Sequence, residues 1–182
     1  MVGLAASAAK ESIEGLVGLA ASGDEAAFAT IVMRHHEDMV RVSFVVSGDY
    51  DVAEEATAAA WPIVWRRLGS LREPDRLRAW LCSVAANEAR QIVRSRRRRT
   101  VREIAVSDHS GVLSDPSARA ADIDLANALA RLSPDDRALI ALRYVAGLNA
   151  TELGRATGMS PSGTRARLAR LLARLRKELG DE

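Results

Sequence analysis

The chain has 182 residues, about half of them apolar (48%), with aromatics at only 4%. That suffices for one medium domain or two small ones, with cores built from Leu, Val, Ile and Ala rather than from rings. A net charge of +2 leaves nucleic-acid binding to be judged from where the charges lie, and a single cysteine, Cys82, excludes an internal disulfide and a cysteine-based zinc site.

At the N-terminus Lys10, Glu11 and Glu14 interrupt any apolar stretch, so no signal peptide is expected. No run elsewhere approaches the roughly 20 apolar residues a membrane span needs. The expectation is a cytoplasmic protein with no membrane insertion. Helix formers dominate and β-branched runs of strand length are nearly absent, which predicts an all-α fold.

Gly23-Asp24 opens the first long amphipathic stretch, with Asp24 as N-cap. Its apolar face runs Phe28, Ile31, Val32, Met39, Val42 and Val46, close to the helical repeat, and Gly48 ends it. Asp51 with Glu54 three residues on reads as a capping-box variant, starting a helix through Trp61 and Trp65 to Gly69. Pro62 lies inside that helix and is expected to kink it. A short loop, Ser70 to Pro74, leads to a long helix with Leu77, Trp80, Leu81, Val84 and Ile92 on its buried side. Asn87, Arg90, Gln91 and Arg94 line its opposite face, and the basic block Arg94, Arg96, Arg97, Arg98, Arg99 and Arg102 ends it.

Residues 107–118 (SDHSGVLSDPSA) carry Ser, Asp, Gly and Pro with little periodicity and read as a flexible linker. The chain therefore divides into helical domains at 13–103 and 121–180, with 104–120 between them. In the second domain, Ser133-Pro134 starts a helix that Gly147 closes. Asn149 with Glu152 caps a short helix ending at Gly158, and Ser160-Pro161 opens a last helix to Gly180. A short helix followed closely by a longer one is the layout of a helix-turn-helix, whose second helix enters the major groove. Thr164, Leu168, Leu171, Leu172, Leu175 and Leu179 supply a docking face. Ser160, Ser162, Arg165, Ala166 and Ala169 supply the side toward DNA, flanked by Arg167, Arg170 and Arg174. Small alanines allow close approach, and arginines reach phosphates or guanines.

His35, His36, Glu37 and Asp38 resemble metal ligands in composition. Adjacent helical residues point about 100° apart, so at most two could converge, and the cluster reads as a helix face. Cys82 reads as a small core residue. The Arg94–Arg99 run reads as a phosphate clamp. No phosphate loop, zinc motif or nucleophile elbow is present, so neither a cofactor nor an enzymatic activity is expected.

Two sets of motifs carry a family resemblance. In the second half they are Leu132-Ser133-Pro134, the run Leu142-Arg143-Tyr144-Val145-Ala146-Gly147-Leu148, Glu152-Leu153-Gly154, Gly158-Met159-Ser160, and Arg167-Leu168 with Arg170. In the first half they are Leu16-Val17, the run Gly23-Asp24-Glu25-Ala26-Ala27-Phe28, Gly48-Asp49, Ala53-Glu54-Glu55, Trp65-Arg66, Arg78-Ala79-Trp80-Leu81 and Ala86-Asn87. Together they resemble the extracytoplasmic-function sigma factors over roughly 15–179, with both domains in the family's order. The resemblance implies binding to core RNA polymerase through the helix from Asp51 to Leu68, with Asp51, Glu54, Glu55, Ala58, Trp61, Trp65 and Arg66 at the contact. It implies promoter opening at the minus-ten element by Ser70, Leu71, Arg72, Arg78, Asn87, Arg90, Gln91, Arg94 and Arg97. It also implies minus-thirty-five reading by the last helix and control by an anti-sigma factor. Five positions depart from the family pattern: Ala58-Ala59 stand for a usual Gln-Glu pair, Pro62 is unusual, Gly163 replaces Thr, and Thr164 replaces an apolar residue. Two alternatives stand beside this reading. One is a stand-alone helix-turn-helix regulator with a sensory N-terminal domain. The other is an enzyme or metal-binding protein using His35, His36 and Glu37.

Overall fold

A computed structural model describes residues 12–103 and 120–180. The linker expected at 104–120 lies, but for its last residue, outside the described residues, as do residues 1–11. Among the described residues the chain forms eight α-helices and two 3-10 turns without a strand, as composition predicts.

Helix α1 (Ile13–Ala21) has no counterpart among the predicted elements, because Gly15 and Gly18 dilute a nine-residue helical signal. The Ser12 hydroxyl accepts the Gly15 N–H at 3.1 Å, and Leu16, Val17 and Ala20 are buried. Helix α2 (Glu25–Ser47) starts where predicted: Asp24 accepts the Ala27 N–H at 2.8 Å. It ends at Gly48, whose φ of 74° would strain a residue with a side chain. Ile31, Met39, Val42 and Val46 are buried as the spacing predicts, while Phe28 and Val32 are half-buried.

The next start differs from the expected one. Asp49, not Asp51, caps α3 (Tyr50–Arg67), accepting the Val52 N–H at 3.0 Å; Asp51 lies in the first turn. The helix runs unbroken through Pro62, which sits on its exposed side. Two 3-10 turns, Leu68–Ser70 and Pro74–Arg76, lead to α4 (Leu77–Glu103). Leu77 and Leu81 are buried as expected, whereas Trp80, Val84 and Ile92 are half-buried. Much of the contact falls instead to Cys82, Ala85, Ala86 and Ala89, small side chains that let α4 lie close against α2 and α3.

The second half comprises α5 (Ala120–Ala130), α6 (Pro134–Tyr144), α7 (Ala150–Thr157) and α8 (Pro161–Leu179). Ser133 accepts the Asp136 N–H at 3.1 Å at the start of α6. That helix stops at Tyr144, short of Gly147, which serves the following turn. Asn149 and Glu152 form the full reciprocal capping box on α7. Ser160 caps α8, and Gly180 closes it. Thr164, Leu171 and Leu175 are buried, and Leu168 and Leu172 are half-buried. Leu179, assigned to the docking face, is exposed in the last turn.

Two cores result. One lies within α1 to α4 around Leu16, Ile31, Met39, Leu68, Leu77 and Leu81. The other joins the halves, placing Leu139, Ile140 and Leu142 of α6 in one apolar cluster with Val42, Val46, Cys82 and Ala89. Residues 137–142 are all buried, because α6 packs on α2 and α4 and also on α7 and α8. No helix among the described residues is long and apolar enough to cross a membrane.

Candidate nucleic-acid interface

The first candidate surface begins at the α8 cap. The Ser160 hydroxyl accepts the Gly163 N–H at 3.1 Å and lies 3.2 Å from the Ser162 hydroxyl. A Cβ on Gly163 would come within 3.0 Å of Ser160 Oγ, so glycine here keeps the cap tight. Thr164 is fully buried, yet its hydroxyl donates to the Ser160 carbonyl at 3.0 Å, which leaves its methyl to pack like the apolar residue it replaces. Ser162, Arg165, Ala166, Ala169 and Arg170 are exposed along one side of α8, as the helical spacing predicts.

The other two arginines of that stripe are engaged elsewhere. Arg167 is half-buried and grips Asp136 of α6 through Nε at 2.8 Å and Nη2 at 2.7 Å. Arg174 pairs with Glu178 at 2.9 Å and reaches the Arg131 carbonyl. Their positions on the helix were legible; their partners, on other turns and helices, were not.

A second basic surface lies between α3 and α4. Arg66 and Arg67 from the end of α3 face Asn87, Arg90, Gln91 and Arg94 across a groove floored by Ile63 and Val84. Four guanidiniums on one groove, with two amide side chains, suit a backbone phosphate path with polar contacts to bases. Arg67 was missing from the expected set, because only the antiparallel crossing of α3 on α4 brings it there. Within the groove Arg90 pairs with Asp135 of α6 at 3.2 Å, Arg94 pairs with the same carboxylate, and Gln91 donates to Glu88 at 3.0 Å. Arg97 is exposed farther along α4.

An adjoining cleft of about 700 Å³ contains Ser70, Leu71, Arg72, Trp80 and Asn87 on one wall, with Asn149, Glu152 and Arg155 of α7 on the other. Arg76 and Glu152 pair across it at 2.5 Å. Arg78 does not line this cleft. Its guanidinium donates to both Asp38 oxygens, at 2.6 and 3.1 Å, and to the Val145 and Ala146 carbonyls at 3.1 Å each. Those hydrogen bonds from Arg78 hold the Asp38 carboxyl below its ordinary value of 3.8.

The outer face of α3 is a third surface. Asp51, Glu55, Ala58, Trp65 and Arg66 are exposed along it, while Glu54 and Trp61 turn partly inward. Trp61 donates its indole N–H to His36 Nδ1 at 3.2 Å, and His36 Nε2 lies 3.4 Å from Glu54. Phe28 packs edge-on against Trp61 and Trp65, at ring separations of 5.8 and 4.7 Å. Glu55 is drawn to Arg96 at 2.6 Å. The residues that resembled metal ligands are thus occupied separately: His36 braces α3, and Asp38 holds Arg78. Burial lowers the pKa of His35, whose ring nitrogens lack partners. Burial likewise pushes the Cys82 thiol up to about 12, fitting its place in the core.

Both halves of the chain match known families. The family model for Sigma-70 region 2 matches residues 31–99, and that for Sigma-70, region 4 matches residues 122–175. The RNA polymerase sigma factor CarQ of Myxococcus xanthus is 34% identical over 135 residues, which is 71% of this chain and 76% of CarQ. The ECF RNA polymerase sigma factor SigM of Mycobacterium tuberculosis is 26% identical over 159 residues, 87% of this chain and 80% of SigM. The probable RNA polymerase sigma factor RfaY of Xanthomonas campestris is 27% identical over 168 residues; the match takes in 88% of this chain and spans 42% of RfaY's length. Among solved structures, the sigma factor RpoE of Bartonella quintana, in complex with the anti-sigma factor NepR, superposes with a TM-score of 0.70 at 22% identity, covering 84% of this chain and 96% of RpoE. CnrH in complex with the cytosolic domain of CnrY gives 0.65 at 24% identity, covering 92% of this chain and 96% of CnrH. These two share the fold. The region 2 match over the first half is not that of a sensory domain, and with CarQ it places the chain in the extracytoplasmic-function RNA polymerase sigma factors, a family of transcription initiation factors.

Proposed function

We propose that this chain binds core RNA polymerase through the exposed face of α3 and directs it to promoters with the two basic surfaces. On this reading Asp51, Glu55, Ala58, Trp65 and Arg66 meet the polymerase, with Glu54 and Trp61 setting the helix from behind. The arginine groove between α3 and α4, with Ser70, Leu71 and Arg72 at its end, takes the minus-ten strand as it separates. The α8 face from Ser162 to Arg170 reads the minus-thirty-five element as duplex in the major groove. The carrying observation is that groove, where Arg67, Arg90 and Arg94 converge with Asn87 and Gln91. The domains are assigned as 13–103 and 121–180, joined by 104–120. The reading places the protein in the cytoplasm with its polymerase, acting by binding rather than by catalysis and without a cofactor. RpoE was solved with the anti-sigma factor NepR and CnrH with the cytosolic domain of CnrY, which supports an anti-sigma factor as a further partner here.

The test is co-elution of the purified chain with bacterial core RNA polymerase, followed by run-off transcription on a genomic promoter library. Co-elution with promoter-specific transcripts is expected. Duplex binding without co-elution or transcripts would return the protein to the class of stand-alone regulators.

A further inference from the structure

We propose that Pro62 gives the outer face of α3 a backbone acceptor. The Ala58 carbonyl, left without its helical donor, accepts an N–H from a basic side chain of core RNA polymerase. The inference rests on the proposal that α3 is the polymerase-facing helix. Proline has no N–H, so its place inside an otherwise unbroken helix removes the bond that residue 62 would give to residue 58. The pyrrolidine ring also crowds that carbonyl, and carbonyls on the solvent side of a helix already tilt outward. Ala58 and Pro62 are both exposed and one turn apart, so the freed oxygen lies between them on the outer face.

Water can satisfy an exposed carbonyl, and that accounts for the helix surviving its proline. It does not account for the surroundings. Ala58, Ala59 and Pro62 make a stretch of outer face with no side chain able to donate or accept, so the backbone oxygen is its polar handle. Two methyls and a proline ring stand low, which lets a partner come close enough to reach main chain. Trp65, three residues on, is the apolar anchor beside it. Phe28 packs against its ring at 4.7 Å, yet Trp65 stays 38% exposed. Charge selects the donor. Toward its N-terminus the same face carries Asp51 and Glu55, and Glu55 already holds one guanidinium, that of Arg96 at 2.6 Å. A carbonyl oxygen near carboxylates favours a cationic donor over a neutral one. Arg66 closes the other end of the face, so the cation enters from the acidic side.

The test measures the affinity of the full-length chain for bacterial core RNA polymerase beside its thermal unfolding. Pro62→Ala restores the N–H. The melting temperature is expected to rise while affinity for core falls about tenfold, the loss of one hydrogen bond from a charged donor. A proline with a structural role alone would not move the two in opposite directions. Pro62→Val restores the N–H and keeps apolar bulk, and is expected to weaken binding to the same degree. Ala59→Lys, which sets a like charge beside the incoming cation, is expected to weaken binding, and Ala59→Glu to leave it as tight or tighter. Unchanged affinity in Pro62→Ala would overturn the proposal. Full affinity in Pro62→Val with a loss in Pro62→Ala would overturn it too, reducing Pro62 to a ring contact. Equal losses in Ala59→Lys and Ala59→Glu would remove the basic donor. Trp65→Ala separates the proposal from the reading beneath it. Lost affinity there, with none lost in Pro62→Ala, removes the carbonyl alone, whereas an unsubstituted chain without affinity for core removes the α3 assignment and the carbonyl with it.

Discussion

Arg165 projects from α8 into solvent, whereas Arg167, two residues on, turns back to the Asp136 carboxylate. Two residues apart on one helix, they point to nearly opposite sides, so Arg165 meets solvent while Arg167 finds its partner on α6. Arg165→Ala should weaken cognate promoter binding by about 1–3 kcal/mol, the worth of one bidentate base contact, with little change in the melting temperature. Anisotropy titration of a cognate duplex beside thermal unfolding separates the two quantities; equal affinity would remove Arg165 from the reading face. Asp38 offers a second test at this scale. Its pKa is lowered in the folded chain by the Arg78 hydrogen bonds, so below neutrality the unfolded chain binds the proton first. The stability it contributes is therefore complete above its ordinary value of 3.8 and disappears as pH falls through the lower folded value. Urea unfolding of the native chain and of Asp38→Asn should differ at neutral pH, and the difference should shrink as the solution is acidified through that range.

At the scale of elements, side-chain caps were the most legible feature. Asp24, Asn149 with Glu152, and Ser160 each sit where the sequence places them, since a cap needs only residues within one turn of each other. The misses have local causes of the same kind. Asp49 outcompetes Asp51 because Gly48, in the left-handed conformation, ends α2 one residue earlier and leaves Asp49 extended. Helix α1 was invisible because its stability comes from burying Leu16 and Val17 on other helices, not from propensity. The turn between α7 and α8 supplies a prediction. Gly154 lies inside α7, and a Cβ there would meet the Met159 carbonyl oxygen at 2.6 Å. Ala ordinarily gains up to about 1 kcal/mol over Gly inside a helix, but overpacking against fixed backbone costs about 1–3 kcal/mol. Gly154→Ala should accordingly lower the melting temperature and loosen the turn. A rise in melting temperature would show that the turn relaxes without penalty.

For the whole molecule, the decisive element is α6. A helix buried over six consecutive residues cannot belong to one domain alone, and α6 gives one side to α7 and α8 and another to α2 and α4. Leu139→Ala, at a position 1% exposed in the shared cluster, should cost about 2–5 kcal/mol. The loss should appear in a single unfolding transition followed by circular dichroism and by the fluorescence of Trp61, Trp65 and Trp80 together. Two separated transitions, with only one shifted, would mean that the halves unfold independently.

By itself the sequence determined the all-α class, most helix starts, the division into two helical halves and the face of α8 that carries Ser162, Arg165 and Ala169. Each of these depends on spacing within a few residues, where helical geometry converts sequence distance directly into direction. Tertiary structure alone decided which arginines are presented and which are held. Arg67 enters the groove, Arg78 ties α6 to Asp38, and Arg90, Arg94 and Arg167 are drawn to Asp135 and Asp136. A guanidinium's role follows from the nearest carboxylate or carbonyl in space, and here most such partners lie more than thirty residues away along the chain.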